Sequence, residues 1–216
     1  MHRQRGPGHG RLLRHGRAAH LCPTVISYTG EFGVRRWYQV LAEQRVNIWC
    51  TGPAELRRLM SRGVDLPHSV DLSALRHVAS VGEALAPQAV GWGAEALGLR
   101  VHDNWSQTET GAIMISNHRD MEIRPGSMGR PVPGVDAAVL VRGVDGRVTI
   151  EDGCVRRAGV DQVGELALRQ GWPSMFRGYV GDRDGYAKRF VRGWYLTGGL
   201  GQGRLRRLLV VRRPGG

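Results

Sequence analysis

Residues 103–111 read DNWSQTETG, which sets an aromatic ring, two amides, three hydroxyls and two carboxylates beside one another and closes on glycine. Such a stretch is too polar for a core and too dense for a spacer. Its hydroxyl and amide donors suit phosphate oxygens, and a carboxylate suits magnesium. A second polar stretch, GEAL at 82–85, offers small residues ahead of a helix, where backbone can approach a planar base. Each stretch follows a predicted strand, RHVASV at 76–81 and LRVH at 99–102. Ligands of parallel sheets bind beyond the carboxyl ends of the strands, so this spacing puts Gly82, Glu83, Asp103, Trp105, Gln107, Thr108 and Glu109 along one edge. The plain alternative is two turns with satisfied caps. Two such loops at adjacent strand ends weigh against it, although Trp105 alone reads as a packing residue.

The elements that would hold these loops follow from hydrophobic periodicity. Trp37, Val40 and Leu41 fall at helical spacing within 35–46, with Arg36, Gln39 and Glu43 on other faces. VNIWC at 46–50 reads as a buried strand, and Pro53 opens a helix over 53–62 with Leu56, Leu59 and Met60 as its apolar stripe and Gly63 as its end. Another helix is predicted over 87–97. The alternation of strand and helix predicts an α/β fold, part of a parallel sheet with covering helices. Beyond residue 118 the texture changes to short strands at 135–141, 147–150 and 163–169 separated by glycine, proline and aspartate, with one helix near 182–190. This predicts a small antiparallel β unit. Asp145 and Gly146 read as a hairpin turn, and Asp182 and Asp184 as exposed carboxylates at a helix start.

Composition narrows the function classes. A chain of 216 residues that is 41% hydrophobic can bury a core. No apolar run approaches the roughly 18–20 residues that span a bilayer, and the first residues do not form a signal-like segment, so a cytoplasmic location is expected. Cys22, Cys50 and Cys154 are far apart, odd in number and without a CxxC pair, which indicates neither a disulfide framework nor a zinc site. His77, His102 and His118 read as isolated, packed or surface residues. The formal charge of +12 sits at the ends: residues 1–23 and 199–216 each hold five arginines and no acid, leaving 21 basic against 19 acidic residues between them. A nucleic-acid-binding protein working through those arginine-rich ends is therefore the alternative reading. Against it, neither end contains an aromatic residue or a nucleic-acid motif.

Several segments in one order and spacing carry a resemblance: GEAL, DNWSQTETG, DMEIRPGSMGRPVPGVDAAV at 120–139, GELAL at 164–168, GWPSMFRGY at 171–179 and GWYLTG at 193–198. Together they resemble the AMP-forming acetyl-CoA synthetases of the adenylate-forming acyl-CoA ligase superfamily, from about residue 24 to residue 198. The resemblance implies an acetate–CoA ligase type of reaction with ATP and CoA as substrates and magnesium as the metal. Acetate or another small carboxylic acid would attack the α-phosphate of ATP, and the acyl-adenylate would pass to the thiol of CoA. Carried over by position, Gly82, Glu83 and Ala84 would line the adenine side, and Asp103, Asn104 and Trp105 would continue that wall. Gln107 and Thr108 would stand at the α-phosphate, with Thr108 donating to it, and Glu109 would hold magnesium. Thr108 and Glu109 would be the catalytic pair. Ser106 stands where the acetate-specific pattern commonly has tryptophan, which implies room for a longer acyl chain.

The pattern also departs from the family. Gly199 stands where an aspartate would bind the ribose hydroxyls, and the phosphate loop and later lysine domain have no counterpart; Lys188 does not fit that lysine's role. The expected organisation is a basic head over 1–23, an α/β part of the AMP-binding domain over 24–118, its β-rich part over 119–198 and a basic tail over 199–216. The expectation is an incomplete family domain, a central fragment inactive alone; a non-catalytic partner of a split ligase is a further alternative. One allowed set of codons from Gly198 onward, with a single G deleted, encodes GDWAKVDSDGYWWFVG, which resembles the family's continuation. GHGRLLRHGRAAHL in the head, read one base on, can likewise give VTGASYGMVAPLT. Both ends are thus read as frame-shifted translations. Resequencing the DNA is expected to find an insertion or deletion near codons 23 and 199, and an intact frame at both places would reject this reading.

Overall fold

The computed structural model describes residues 24–204 and 208–212. The head, Cys22 and part of the tail lie outside the described residues. The chain divides into two compact units, 1–104 and 105–216.

In the first unit, α1 spans Val34–Glu43 and buries Tyr38 and Leu41, with Trp37 edge-on to Trp49 at 5.7 Å between ring centroids. Leu41 of the predicted stripe is buried and Trp37 and Val40 are half-buried, while Tyr38, outside that stripe, lies deepest. The helix ends before residue 46 because Arg45 takes a left-handed backbone, φ 47°, just beyond the Gln44 cap. Strand β1, Ile48–Thr51, runs parallel to β2, His77–Val81, and β2 runs parallel to β3, Val101–Trp105. Parallel neighbours need crossovers. These are α2, Pro53–Met60, with the short α3, Asp65–His68, between β1 and β2, and α4, Gln88–Leu97, between β2 and β3. Pro53 suits the first turn of α2, whose Leu56 and Leu59 are fully buried. Helix α4 stops at Gly98 in the left-handed conformation. Its Gly93 lies so near β3 that a Cβ would come within 2.7 Å of the Leu99 carbonyl and the Val101 side chain.

In the second unit, β4, Ile115–Ser116, pairs antiparallel with β5, Arg130–Pro131. The larger sheet contains β6, Ala137–Leu140; β9, Val163–Arg169; β10, Phe190–Val191; β11, Trp194–Arg204; and β12, Leu208–Arg212, with a separate hairpin of β7, Ile150–Glu151, and β8, Cys154–Val155. The order is β10-β11-β9-β6 with β12 on the far part of β11, and all these pairs are antiparallel. Both faces of this sheet are covered. Val139, Leu166, Leu168 and Tyr195 enter one cluster with Met114, Ile115, Met128 and Trp172, while Ala138, Leu140, Ala167 and Trp194 enter the other with Val148. The period-two alternation of a strand thus feeds two apolar layers, so β9 is buried from Gly164 to Leu168, with Glu165 as its one buried charged residue. Helix α5, Arg183–Lys188, precedes β10, and Asp182 caps it by accepting the Gly185 N–H at 2.7 Å. Asp145 accepts the Arg147 N–H at 3.0 Å in the hairpin turn.

The α/β reading, a partly parallel sheet with covering helices and then an antiparallel β unit, is the observed fold. Three local expectations are corrected. The strand predicted to end at His102 continues to Trp105, so Asp103, Asn104 and Trp105 are strand residues. Ladder pairing with β2 extends it, since Ser80 and Val81 face Asp103 and Asn104. His77 and His102 are not isolated, because their rings lie 4.4 Å apart between centroids. The basic tail, for which no strand was predicted, pairs as β12 with β11 from Leu200↔Arg212 to Arg204↔Leu208. Backbone pairing has overridden a glycine-rich composition that disfavours strands.

Candidate functional site

In the first unit, the 82–85 turn leaves the carboxyl end of β2, starting at Gly82 with φ 112°, a conformation that favours glycine. Glu83 is exposed and pairs with Arg57 of α2 at 3.3 Å, with both side chains about half exposed, so this ion pair contributes little to stability. Ala84 is half-buried, and Leu85 is buried and anchors the turn. Asp103 is only 9% exposed, and its carboxylate accepts the backbone N–H groups of Asn104 and Leu85. That brings the 82–85 turn and the start of DNWSQTETG together. Burial pushes the Asp103 carboxyl up to about 7, against the smaller opposing effect of the two N–H donors. Asn104 is buried, and its Nδ2 lies 3.1 Å from the His102 carbonyl and 3.3 Å from that of Ser80. Its amide therefore fastens the ends of β2 and β3.

In the second unit, Trp105 packs on the first apolar cluster of the larger sheet and its carbonyl accepts the Met114 N–H at 3.0 Å. Ser106 is half-buried. Beyond it a single 3-10 turn, Thr108–Thr110, is pinned from several sides. The Gln107 side chain is held at both ends: Nε2 donates to the Thr197 carbonyl at 2.9 Å, and Oε1 accepts the Tyr195 hydroxyl at 2.9 Å. Thr110 is fully buried and its hydroxyl accepts the Gln107 N–H at 3.0 Å. The Thr110 carbonyl accepts two donors, Trp172 Nε1 at 3.0 Å and the Ser174 hydroxyl at 2.7 Å. Gly111 closes the turn at φ 64°, and a Cβ there would collide with the Ser174 carbonyl, so both conformation and space demand glycine. With its neighbours anchored, Thr108 faces outward and is exposed.

Glu109 is half-buried; its backbone carbonyl accepts the Phe176 N–H at 3.0 Å and its Oε1 accepts the Tyr179 hydroxyl at 2.8 Å. Burial chiefly, with the bond to Glu109 adding to it, raises the Tyr179 hydroxyl above its ordinary range. Tyr195 is raised too, by burial first and then by the Glu109 charge. Burial alone would lower Arg189, but the Tyr179 and Tyr195 hydroxyls and Glu109 outweigh it and raise it. Among the described residues no group of three or more His, Cys, Asp or Glu side chains could hold a metal by itself. Magnesium is commonly held by one or two carboxylates together with phosphate oxygens, so a single carboxylate beside an exposed hydroxyl donor fits that chemistry.

Residues 12–180 match the family model described as AMP-binding enzyme. The chain belongs to that family. Among its relatives, the acetyl-coenzyme A synthetase of Bacillus subtilis is 38% identical over 176 residues, covering 81% of this chain and 29% of the relative. That of Mycolicibacterium smegmatis is 38% identical over 176 residues, covering 76% of this chain and 18% of the relative. The chain thus spans less than a third of the length of these two relatives. The fold resembles that of the anthranilate CoA ligase AuaEII, solved with anthranoyl-AMP, at a TM-score of 0.72 and 22% identity over 87% of this chain and 34% of that one. It also resembles the ATP-bound RpMatB-BxBclM chimera B3, at a TM-score of 0.67 and 22% identity over 84% of this chain and 33% of that one. Among the described residues, no helix is long and apolar enough to cross a membrane.

For a member of the AMP-binding family, the sequence reading singled out the residues of the turn and missed those that hold it. Tyr179, Trp172 and Ser174 lie in GWPSMFRGY, and Tyr195 and Thr197 in GWYLTG. Those segments carried the resemblance without a role. Only their hydrogen bonds to residues 60 to 90 positions earlier disclose one.

The Asp103 shift fixes a pH dependence. The folded carboxyl titrates near 7, above the ~3.9 of an unfolded aspartate. Between those values the folded chain keeps a proton that the unfolded chain releases, so Asp103 makes stability fall as pH rises, by at most ~1.4 kcal/mol per pH unit. The decline is complete above pH 7. Asp103→Asn removes it, so urea midpoints of the two proteins should diverge in favour of the variant from about pH 4 to 7 and run parallel above. Parallel profiles throughout would contradict the burial argument.

Proposed function

We propose that this chain carries nucleotide-facing residues of an AMP-forming acyl-CoA ligase, which activates acetate or another small carboxylate with ATP to an acyl-adenylate and transfers the acyl group to CoA. The observation that carries the reading is the pinned 3-10 turn with Thr108 turned outward and Glu109 beside it. The family match and the acetyl-coenzyme A synthetase relatives support it.

In this reading the exposed Thr108 hydroxyl donates to an oxygen of the α-phosphate, and Gln107 stands beside it. Charge builds on that phosphate as the carboxylate attacks and pyrophosphate leaves, and a donor already fixed in place needs no reorganisation to meet it. The turn's anchors supply that fixity, because Gln107, Glu109 and Thr110 are each bonded to later parts of the chain. Bound magnesium would neutralise charge on the phosphates, and Glu109 is the residue that would hold it. On the adenine side, Gly82, Glu83 and Ala84 line the base and Asp103, Asn104 and Trp105 continue that wall. Gly199 leaves the ribose without its carboxylate, so these 216 residues bind nucleotide weakly and do not complete turnover alone.

The backbone at Gly199 permits a direct test. Gly199 has no left-handed backbone, and a Cβ there would meet nothing closer than the Thr197 hydroxyl at 3.4 Å, whereas Gly198 sits at φ 74°. Gly199→Asp should tighten AMP at least about five-fold by calorimetry, Gly198→Asp should not, and Thr108→Ala should weaken it about ten-fold, the scale of one hydrogen bond to a charged group. AMP that does not bind, or binds Thr108→Ala as well as the parent, would defeat the reading.

Ser106 sets the acyl preference in the same proposal. A hydroxymethyl in place of an indole leaves space for methylenes worth roughly 0.8 kcal/mol each when buried. A complete ligase bearing this serine is expected to prefer butyrate over acetate in competition kinetics, and a preference for acetate would overturn the assignment of Ser106.

A further inference from the structure

Strand β11 does not run evenly along β9. Leu196 faces Ala167 and Leu200 faces Glu165, so residues 197–199 stand against Leu166 alone. The excess is taken up in a bulge whose Gly198 is left-handed at φ 74°. The Thr197 hydroxyl ties this bulge back to β9 by donating to the Leu166 carbonyl at 2.7 Å, and it accepts the Gly199 N–H at 3.1 Å. The bulge turns the Thr197 carbonyl to Gln107, whose Nε2 donates to it.

What fixes the bulge is a buried carboxylate. The Glu165 side chain is only 3% exposed, a position costly for a charge unless it is paired and hydrogen-bonded. Its two oxygens divide the work. Oε2 accepts from Arg142, Nε at 2.9 Å and Nη2 at 2.8 Å, while Oε1 accepts the Gly198 N–H at 2.9 Å. The cation compensates the buried charge, and the charge in turn grips the one amide at the apex of the bulge. A charge-assisted bond of this kind is about twice as strong as a neutral one.

We propose that Glu165, neutralised by Arg142, is a positioning residue of the nucleotide-facing turn: it holds the 197–199 bulge in the shape that presents the Thr197 carbonyl to Gln107. The proposal rests on the reading of the turn given under Proposed function for its effect on ligand binding, but not for its effect on Gln107. Neither residue touches the ligand in this scheme. Both act through Gly198 and Thr197.

The test uses the full chain, labelled for nuclear magnetic resonance, with two readouts: solvent exchange of the Gln107 side-chain amide, assigned by its loss in Gln107→Ala, and AMP affinity by calorimetry. Glu165→Ala should speed Gln107 amide exchange at least ten-fold and weaken AMP as much as Gln107→Ala does, and the double variant should be no worse than either. Glu165→Gln keeps an acceptor for the Gly198 N–H and should recover most of both signals. If Glu165→Ala does not fold, Arg142→Met serves, since that side chain is 41% exposed, and it should speed the same exchange. Unchanged Gln107 exchange in folded Glu165→Ala or, where that does not fold, in Arg142→Met, or losses in AMP affinity that add in the double variant, would overturn the proposal. A parent chain that binds no AMP would count against the nucleotide reading, while Gln107 exchange would still decide the role of Glu165.

Discussion

Five residues of polar chain cannot hold a fixed outward-facing shape unless their backbone groups are satisfied from elsewhere, and in this protein the Thr110 carbonyl is where that is done. It accepts from both Trp172 and Ser174, uses both of its lone pairs, and does so in a fully buried position where an unsatisfied carbonyl would be costly. The approach of Ser174 leaves no room for a Cβ at Gly111. With that corner closed, the Gln107 and Glu109 side chains find partners in Tyr195, Thr197 and Tyr179, and Thr108 is the member left to solvent. Preorganisation here is a consequence of hydrogen-bond accounting.

The sheet behind the turn supports it by carrying an apolar cluster on each face. Alternate residues of β9 and β11 enter two separate apolar clusters, so neither strand can slip by one residue without moving large side chains such as Trp194 and Tyr195 into the wrong layer. Register is therefore strongly specified, and with it the place where the bulge must fall. The same register lets Tyr195 reach Gln107 from one cluster while Trp194 packs in the other beneath Arg157 and Arg169. Burial energy and site geometry are thus set by one pairing.

In the first unit the limiting element is a charge rather than a carbonyl. Asp103 sits on a strand whose pairing with β2 has drawn it out of solvent, and the two backbone donors that meet it offset only part of the cost. A carboxyl in that position ties the 82–85 turn to β3 whether or not it is ionised.

Much of the architecture was legible in the linear chain, because apolar spacing and turn residues report local structure: the helices over Val34–Glu43, Pro53–Met60 and Gln88–Leu97, the strand over Val163–Arg169 and the capped start at Asp182 all follow from them. The polar identity of DNWSQTETG was equally plain, and so was its resemblance to a family. The end of β3 was not, since three strand residues with aspartate and asparagine among them look like loop until a neighbouring ladder claims them. Nor was the pairing of the tail, or the approach of His77 to His102, which depend on which strands become neighbours. The amino-acid sequence by itself determined the polar character of GEAL and DNWSQTETG and the helices and strands that precede them. Only the tertiary structure decided that Tyr179, Tyr195, Thr197 and Trp172 would hold that turn, because hydrogen bonds between residues 60 to 90 positions apart leave no periodic trace in the chain.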